Sequence, residues 1–248
     1  EMPAEQLMLR LLSAKTSIPL QALRVGDLRD EQWSQLSAAT QDLSQKKLFV
    51  DDGGYATIHH VRSKLRKLKS QHPEISVAII DYLQLMSGEG KEGRQQEVSE
   101  ISRGLKQLAR ELQIPIVALS QLNRGVESRD NKRPMLSDLR ESGAIEQDAD
   151  IILFVYRDDV YREAQEKEKE MKAKAEGKEY TSEFRKKPEE DAEIIIGKQR
   201  NGPTGTVNLV FQKNFTRFVD AATSPAFEIE YEEADIPMNV GNIELPAI

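Results

Sequence analysis

The chain has 248 residues, enough for one large domain or two small ones, and its 38% hydrophobic and 31% charged residues are typical of a globular protein. No apolar run approaches the roughly 18–20 residues of a membrane span, and no signal-peptide pattern opens the chain, so we expect no membrane association. The sequence contains no cysteine, which excludes a disulfide framework and a thiolate metal site and fits a cytoplasmic location.

The net charge of −7 argues against a nucleic-acid-binding protein, but the charge is unevenly distributed. Residues 221–248 contain six acidic residues and no basic one: Glu228, Glu230, Glu232, Glu233, Asp235 and Glu244. Without this acidic tail the remainder is close to neutral. A local basic patch can then still contact phosphate, because physiological salt limits the reach of charges to about 8 Å.

The first 50 residues are predicted to form two helices and a short strand. An apolar stripe predicts an amphipathic helix over residues 3–14. A second helix is predicted over residues 30–43, with Asp30 as its N-cap and Trp33 on its inner face. The apolar run at residues 47–50 predicts a strand.

Helices and strands continue to alternate after Thr57, which is the predicted N-cap of a third helix. Residues 77–80 suit a parallel strand buried on both faces, and buried strands are also predicted over residues 114–120 and 150–156. A helix predicted over residues 95–112 has apolar positions at 3-4-3 spacing: Val98, Ile101, Leu105 and Leu108. This alternation predicts the α/β class, with a mostly parallel sheet flanked by helices.

Residues 157–191 differ from the rest in their high charge. Glutamates followed four residues later by lysines predict a solvated surface helix, and a partner-binding surface is the alternative. Two further apolar runs, at residues 193–197 and 206–211, predict a C-terminal β-hairpin around the turn at residues 198–205.

Two polar residues stand at the carboxyl ends of predicted buried strands. Open α/β sheets bind ligands at this edge, and in ATP-hydrolysing folds an aspartate placed like Asp81 holds the magnesium of the nucleotide. The alternative is an aspartate that caps the next turn. Gln121 ends the next strand, where its amide is within reach of a γ-phosphate or an attacking water. The alternative is that Gln121 begins an exposed loop.

Two groups of basic residues are candidates for phosphate contact. The segment of residues 124–150 contains several cations followed by a glycine that permits close backbone approach: Arg124, Arg129, Lys132, Arg133, Arg140 and Gly143. A mobile, solvated loop is the alternative, and the acids of this segment weaken the electrostatic case.

Lys198 and Arg200 are predicted to point to one face of the hairpin tip and to project from the domain edge. In a ring of subunits, a cation in that position can act as an arginine finger, which contacts the nucleotide bound to the neighbouring subunit. The alternative is an ordinary solvent-exposed hairpin turn without such a role.

Together these segments resemble the RecA-like motor domain of DnaB-type replicative DNA helicases, over nearly the whole chain through residue 220 apart from residues 157–191. The strings that carry the resemblance are Glu1-Met2-Pro3, Ile80-Asp81-Tyr82-Leu83-Gln84-Leu85-Met86, Ser120-Gln121-Leu122-Asn123-Arg124, Asp138-Leu139-Arg140-Glu141-Ser142-Gly143-Ala144-Ile145-Glu146-Gln147-Asp148-Ala149-Asp150 and Lys198-Gln199-Arg200-Asn201-Gly202. The resemblance implies a RecA-like P-loop NTPase core over residues 1–220.

The resemblance also implies roles for individual residues. Glu1 matches the glutamate that activates the attacking water, Asp81 the Walker-B ligand of Mg²⁺, and Gln121 the γ-phosphate sensor. Lys198 and Arg200 match the finger pair given in trans to the neighbouring subunit's ATP. The positions that match the single-stranded DNA contacts are Arg124, Arg133, Arg140, Glu141 and Gly143. The implied assembly is a homo-hexameric ring that moves 5′ to 3′ on single-stranded DNA, with a primase and a helicase loader or initiator as partners.

One departure from the family pattern is large, because no Gly-x-x-x-x-Gly-Lys-Ser/Thr loop occurs in the 248 residues. In the family this phosphate-binding loop precedes the position of Glu1, so the chain is interpreted as a fragment that by itself hydrolyses little or no ATP. Two other interpretations stay open at this point. One is a RecA-type recombinase, and the other is a DNA-binding or assembly module without an ATPase of its own.

Overall fold

The computed structural model describes residues 2–54, 57–87, 93–139, 143–177, 180–182, 184 and 187–221. The predicted site residues Glu1, Arg140 and Glu141 lie outside these residues, as does the acidic tail after Ala221. The described helices are α1 Ala4–Thr16, α2 Leu20–Val25, α3 Asp30–Ser44, α4 Ile58–Gln71, α5 Arg94–Leu112, α6 Gly143–Asp148 and α7 Asp158–Ala175. The described strands are β1 Ala78–Ile80, β2 Ile116–Ala118, β3 Ile151–Tyr156, β4 Glu189–Gln199, β5 Gly205–Gln212 and β6 Arg217–Asp220.

The strands form two sheets of opposite character. In the first, β1 and β2 pair in parallel, with Ala78 opposite Ile116 and Ile80 opposite Ala118. In the second, β3, β4, β5 and β6 pair antiparallel in chain order, so that β4 and β5 form the predicted hairpin. The α/β class is therefore confirmed, and among the described strands the parallel pairing joins β1 and β2, with one isolated parallel bridge between Thr57 and Ser87.

The hydrophobic core is built around α5, whose predicted apolar stripe is buried as expected. The side chains of Val98, Ile101 and Leu108 are fully buried, and Val98 and Ile101 belong to one core with residues of the 3₁₀ helix Leu83–Leu85 and of β3. The core extends under α4, which begins after Thr57. The Thr57 side chain accepts a hydrogen bond of 3.2 Å from the backbone N–H of His60, so the predicted N-cap is confirmed.

The prediction that the strands are buried on both faces is wrong for the described chain. Ile79 in β1 is 69% exposed, Val117 in β2 50% and Leu153 in β3 55%, whereas their sequence neighbours Ala78, Ile152 and Phe154 are buried. Alternate side chains of a strand point to opposite faces. The described helices cover one face of these strands, so every second apolar residue stays exposed.

Three local predictions in the first 50 residues also differ from the structure. Residues 47–50 form no strand, because within the described residues their backbone has no neighbouring strand to hydrogen-bond with. Trp33 is 52% exposed and does not lie on an inner face of α3. The N-cap position of this helix is Arg29 and not Asp30, and the N–H of Arg29 donates a 3.0 Å hydrogen bond to Gln32 Oε1.

The described part of the segment after β2, residues 124–139, is folded. It contains the 3₁₀ helices Arg124–Ser128 and Leu136–Asp138. The buried Asp138 carboxylate accepts hydrogen bonds from Arg129 at 2.6 Å and from the Met135 N–H at 2.9 Å. A buried carboxylate with these partners fixes the path of the chain between the two 3₁₀ helices.

The charged stretch forms the predicted surface helix, α7. Lys167 pairs with Glu163 at 3.1 Å and Lys172 with Glu168 at 2.6 Å. The last three residues of the stretch, 189–191, differ from the prediction because they begin β4. None of the helices in the described ranges combines the length and the apolar character needed to cross a bilayer.

Candidate nucleotide and DNA site

Asp81 and Gln121 follow neighbouring parallel strands and therefore lie at the same edge of the β1–β2 sheet. Ile80 and Ala118 are the last paired residues of the two strands. Beyond them, two more backbone hydrogen bonds of 2.9 Å join the segments, from the Leu119 N–H to the Ile80 carbonyl and from the Leu83 N–H to the Leu119 carbonyl. The peptide bond between Asp81 and Tyr82 is cis.

The Asp81 carboxylate suits a magnesium ion that also binds a nucleotide. It is exposed, and no described residue forms a hydrogen bond or an ion pair with it. No group of three or more acidic or histidine side chains in the described ranges is arranged to hold a metal. A single carboxylate fits Mg²⁺, which is usually held by one or two carboxylates with water and substrate phosphates.

Gln121 is held at this edge by Gln84, to which the sequence analysis assigned no role. The Gln121 N–H donates a 3.1 Å hydrogen bond to Oε1 of Gln84, and Nε2 of Gln84 donates to Ser120 Oγ at 3.0 Å. The Gln121 side chain itself is exposed. The backbone of Gln121 is thus fixed while its amide remains available to a ligand.

Lys198 and Arg200 both turn to the C-terminal end of α6, and the Arg200 side chain remains 45% exposed. The Lys198 ammonium donates to the carbonyl of Glu146, and the Arg200 guanidinium donates to the carbonyl of Gln147 at 2.5 Å. The last carbonyls of a helix lack partners within the helix and carry partial negative charge, so they attract cations. The structure therefore connects the two proposed fingers to the helix that follows residues 140–142.

Asp150 also contacts Arg200 at the C-terminal end of α6. Its carboxylate pairs with Lys106 and lies 3.6 Å from Arg200 Nε. The hydrogen bond from Lys106 lowers the pKa of Asp150, burial opposes this effect, and the charges of Lys106 and Arg200 add to the lowering. Asp150 therefore stays ionised near Arg200 at neutral pH.

The predicted DNA-binding residues that the structure describes lie in different environments. Arg124 is exposed at the start of its 3₁₀ helix. Gly143 begins α6, where an added Cβ would meet no atom within 4 Å. Arg133 instead forms a two-point ion pair with Glu193 of β4, at 2.8 and 2.5 Å, and lies 5.1 Å from the Tyr156 ring centroid. The bonds to Glu193 raise the pKa of Arg133 and occupy the Nε and Nη2 edge of the guanidinium, so a phosphate would compete with Glu193 for that edge.

Sequence reasoning missed two residues that organise this site. Besides Gln84, Arg94 at the start of α5 donates to the carbonyls of Gln84 at 2.7 Å and Met86 at 3.1 Å. Gln84 lies within a string that carries the family resemblance, and Arg94 lies just before the helix predicted over residues 95–112, but neither was given a role. Their partners are 8 to 37 positions away in the chain, so the residues alone carried no local signal.

A family model for the DnaB-like helicase C terminal domain matches residues 1–220, which is most of the chain. The chain belongs to this family. It is 52% identical over 234 residues to the replicative DNA helicase DnaB of Helicobacter pylori, covering 89% of this chain and 48% of that protein. It is 48% identical over 239 residues to the replicative DNA helicase DnaC of Bacillus subtilis, covering 96% of this chain and 46% of that protein.

Solved structures agree with this assignment. A DnaB-like replicative helicase, solved in a study of its interactions with primase, matches with a TM-score of 0.74 and 39% identity, covering 89% of this chain and 48% of that one. A solved ATPase domain matches with a TM-score of 0.75 and 39% identity, covering 89% of this chain and 72% of that one. The RecA-like fold is thereby confirmed. The chain spans about half the length of the curated relatives it matches.

Proposed function

We propose that this chain is the motor domain of a replicative DNA helicase, which couples ATP hydrolysis to 5′–3′ movement along single-stranded DNA as a homo-hexameric ring. The observation that carries the proposal is the placement of Asp81 and Gln121 at one edge of the parallel pair. At that edge, open α/β sheets bind their ligands. Family membership supports the same function, because the relatives are replicative DNA helicases.

In this proposal each residue acts on a different part of the nucleotide. Mg²⁺, when bound with ATP, neutralises charge on the phosphates. Asp81 holds that ion, and Glu1 orients and deprotonates the attacking water. Gln121 donates its amide to the γ-phosphate and so distinguishes ATP from its product. Lys198 and Arg200 reach the ATP of the adjacent subunit and stabilise the negative charge that develops there while the γ-phosphoryl group is transferred to water.

The proposed DNA contacts lie on the segment between Gln121 and α6. Arg140 contacts the phosphate backbone of single-stranded DNA through its guanidinium, and Glu141 and Gly143 through their backbone N–H groups, with Arg124 nearby on the same segment. Arg133 was predicted to belong to this set, and its ion pair with Glu193 argues against that role. By family membership we also propose a primase and a helicase loader or initiator as partners of the complete ring.

A strand-displacement assay on the full-length protein tests the proposal. One fork substrate carries a free 5′ single-stranded tail, and a second carries only a 3′ tail. We expect displacement of the 5′-tailed fork in the presence of ATP and Mg²⁺ and none in the presence of ADP. Displacement that requires a 3′ tail would refute the polarity. An assembled ring that binds DNA without hydrolysing ATP would favour a DNA-binding or assembly module instead.

Replacement of Arg140 by Ala is expected to weaken single-stranded DNA binding equally for all sequences, since phosphate contacts carry no base information. The slope of log affinity against log salt concentration should become shallower by roughly 0.7 for each single-strand phosphate that the variant no longer neutralises. Titrations of parent and variant rings on two unrelated oligonucleotides across a salt series measure both effects.

A suitable control for Arg140→Ala is Arg162→Ala, which removes an exposed arginine of α7. We expect no change in DNA affinity for the control and no loss of DNA-independent hydrolysis for either variant. If Arg140→Ala and the parent show the same DNA affinity and the same salt dependence of that affinity, Arg140 does not contact DNA.

A further inference from the structure

We propose that Gln84 is a positioning residue for the nucleotide-sensing side chain of Gln121. The inference rests on the proposed function, in which Gln121 distinguishes ATP from ADP. Gln84 does not touch the nucleotide in this proposal. It acts by fixing the backbone from which the Gln121 side chain extends.

The carboxamide of Gln84 replaces a missing strand partner. The backbone pairing of β1 with β2 continues only as far as the bond from the Leu83 N–H to the Leu119 carbonyl, after which the first segment turns away in the 3₁₀ helix Leu83–Leu85. A glutamine side chain carries the same donor and acceptor as a peptide group. Gln84 uses both, accepting from the Gln121 N–H at 3.1 Å and donating to Ser120 Oγ at 3.0 Å. A longer contact of 3.5 Å joins Nε2 to the Gln121 carbonyl.

Gln84 is itself held firmly in place. Its carbonyl accepts a 2.7 Å hydrogen bond from Arg94 of α5, and the same guanidinium binds the Met86 carbonyl at 3.1 Å. The side chains of Leu83 and Met86 are 3% and 2% exposed. The backbone around Gln84 is therefore anchored in the core, and the side chain transfers that anchoring to the backbone of Gln121.

This arrangement has a specific consequence for sensing. An amide that reports on one phosphate must be held within a fraction of an ångström, or its preference for ATP is lost. Without Gln84, the backbone N–H of Gln121 loses its partner in the described structure, and the exposed segment after β2 can adopt other conformations. Nucleotide affinity as such should then change less than the preference for ATP over ADP.

The test replaces Gln84 by Met, which has similar length and cannot reproduce the hydrogen bonds, in the full-length ring. We measure the affinities for ADP and for a non-hydrolysable ATP analogue. Gln84→Met should reduce the preference for the analogue about tenfold, as expected for the loss of two hydrogen bonds. Gln84→Glu keeps the acceptor for the Gln121 N–H and should retain more of the preference. If Gln84→Met does not fold, the measurement on Gln84→Glu still tests the proposal.

Two comparisons separate positioning from a general loss of structure. Gln41→Met changes an exposed glutamine of α3 and should leave the preference unchanged. In a ring that already carries Gln121→Ala, adding Gln84→Met should change the preference less than twofold, because both substitutions remove the same sensor. Independent, additive effects would overturn the inference.

The outcomes also distinguish this inference from the proposed function. If Gln121→Ala removes the ATP preference and both Gln84 variants retain it, the positioning role of Gln84 is wrong and the proposed function stands. If Gln121→Ala leaves the preference intact, Gln121 is not the sensor, and both the sensor assignment and the role of Gln84 are overturned.

Discussion

Replacing Arg200 by Ala is expected to reduce ATP hydrolysis by the assembled ring by at least about 10³-fold, the typical effect of losing an arginine finger. Nucleotide affinity should remain within a few-fold of the parent, because a finger stabilises charge that develops in the transition state more than it binds the ground state. Equilibrium nucleotide titrations alongside steady-state hydrolysis measure the two quantities separately.

The folded state should tolerate this substitution. The Arg200 side chain is 45% exposed, lies 3.6 Å from Asp150 and donates to the Gln147 carbonyl at the end of α6. An exposed pair of this kind contributes about 0–1 kcal/mol to stability. Arg162→Ala, in α7, is again the matched control and should leave hydrolysis unchanged. A parallel fall in affinity and hydrolysis would contradict the finger assignment.

Mixed rings test whether the finger acts on the neighbouring subunit. Subunits with Arg200→Ala keep an intact magnesium site, and subunits with Asp81→Asn keep an intact finger. Each is expected to be inactive alone. A mixture assembles some interfaces with both parts intact, so hydrolysis should reappear. Mixed rings that remain as inactive as either parent variant would show that Arg200 does not act in trans.

Replacing Glu190 by Gln is expected to lower the free energy of unfolding by about 3 kcal/mol, because it leaves two cations without their shared buried anion. The Glu190 side chain is 1% exposed, pairs with Arg157 and lies 2.8 Å from Lys213 Nζ. The Arg157 guanidinium also packs 3.9 Å from the centroid of the Phe211 ring. This cluster joins the start of α7 to β4 and β5.

Urea unfolding of Glu190→Gln measures the loss, and Glu168→Gln is the control. Glu168 forms the same kind of pair, with Lys172 at 2.6 Å, but is 62% exposed on α7. Its replacement should cost less than about 1 kcal/mol. Equal stabilities for the two variants would mean that burial does not make the Glu190 cluster important.

The cluster also predicts the direction of its pH dependence. Burial lowers the pKa of Lys213, but hydrogen bonds to Glu190 and Asp159 outweigh it and leave the pKa above the ordinary value of 10.5. Since the folded pKa exceeds the unfolded one, the stabilisation is fully present below 10.5 and is lost as the pH rises through the folded pKa.

Local patterns in the sequence determined several elements correctly. The buried face of α5 follows from apolar residues at helical spacing, because the period of a helix fixes which side chains share a face. Thr57 marks the start of α4, because its side chain satisfies an N–H group that the helix leaves free. The position of Asp81 after β1 likewise follows from an apolar run that ends in a carboxylate.

Contacts between distant segments decided the rest. The apolar run at residues 47–50 is not a strand, because a strand requires a neighbour, which the local sequence does not specify. Arg133 pairs with Glu193, 60 positions away, so its chemistry as a phosphate ligand is altered by a partner that no local motif contains. Lys198 and Arg200 bind the end of α6, and Gln84 holds Gln121, because the fold brings a cation or an amide to an unsatisfied backbone group. Residue types and spacing identified the groups capable of chemistry, and the tertiary structure decided which of them are already engaged and which remain free for a ligand.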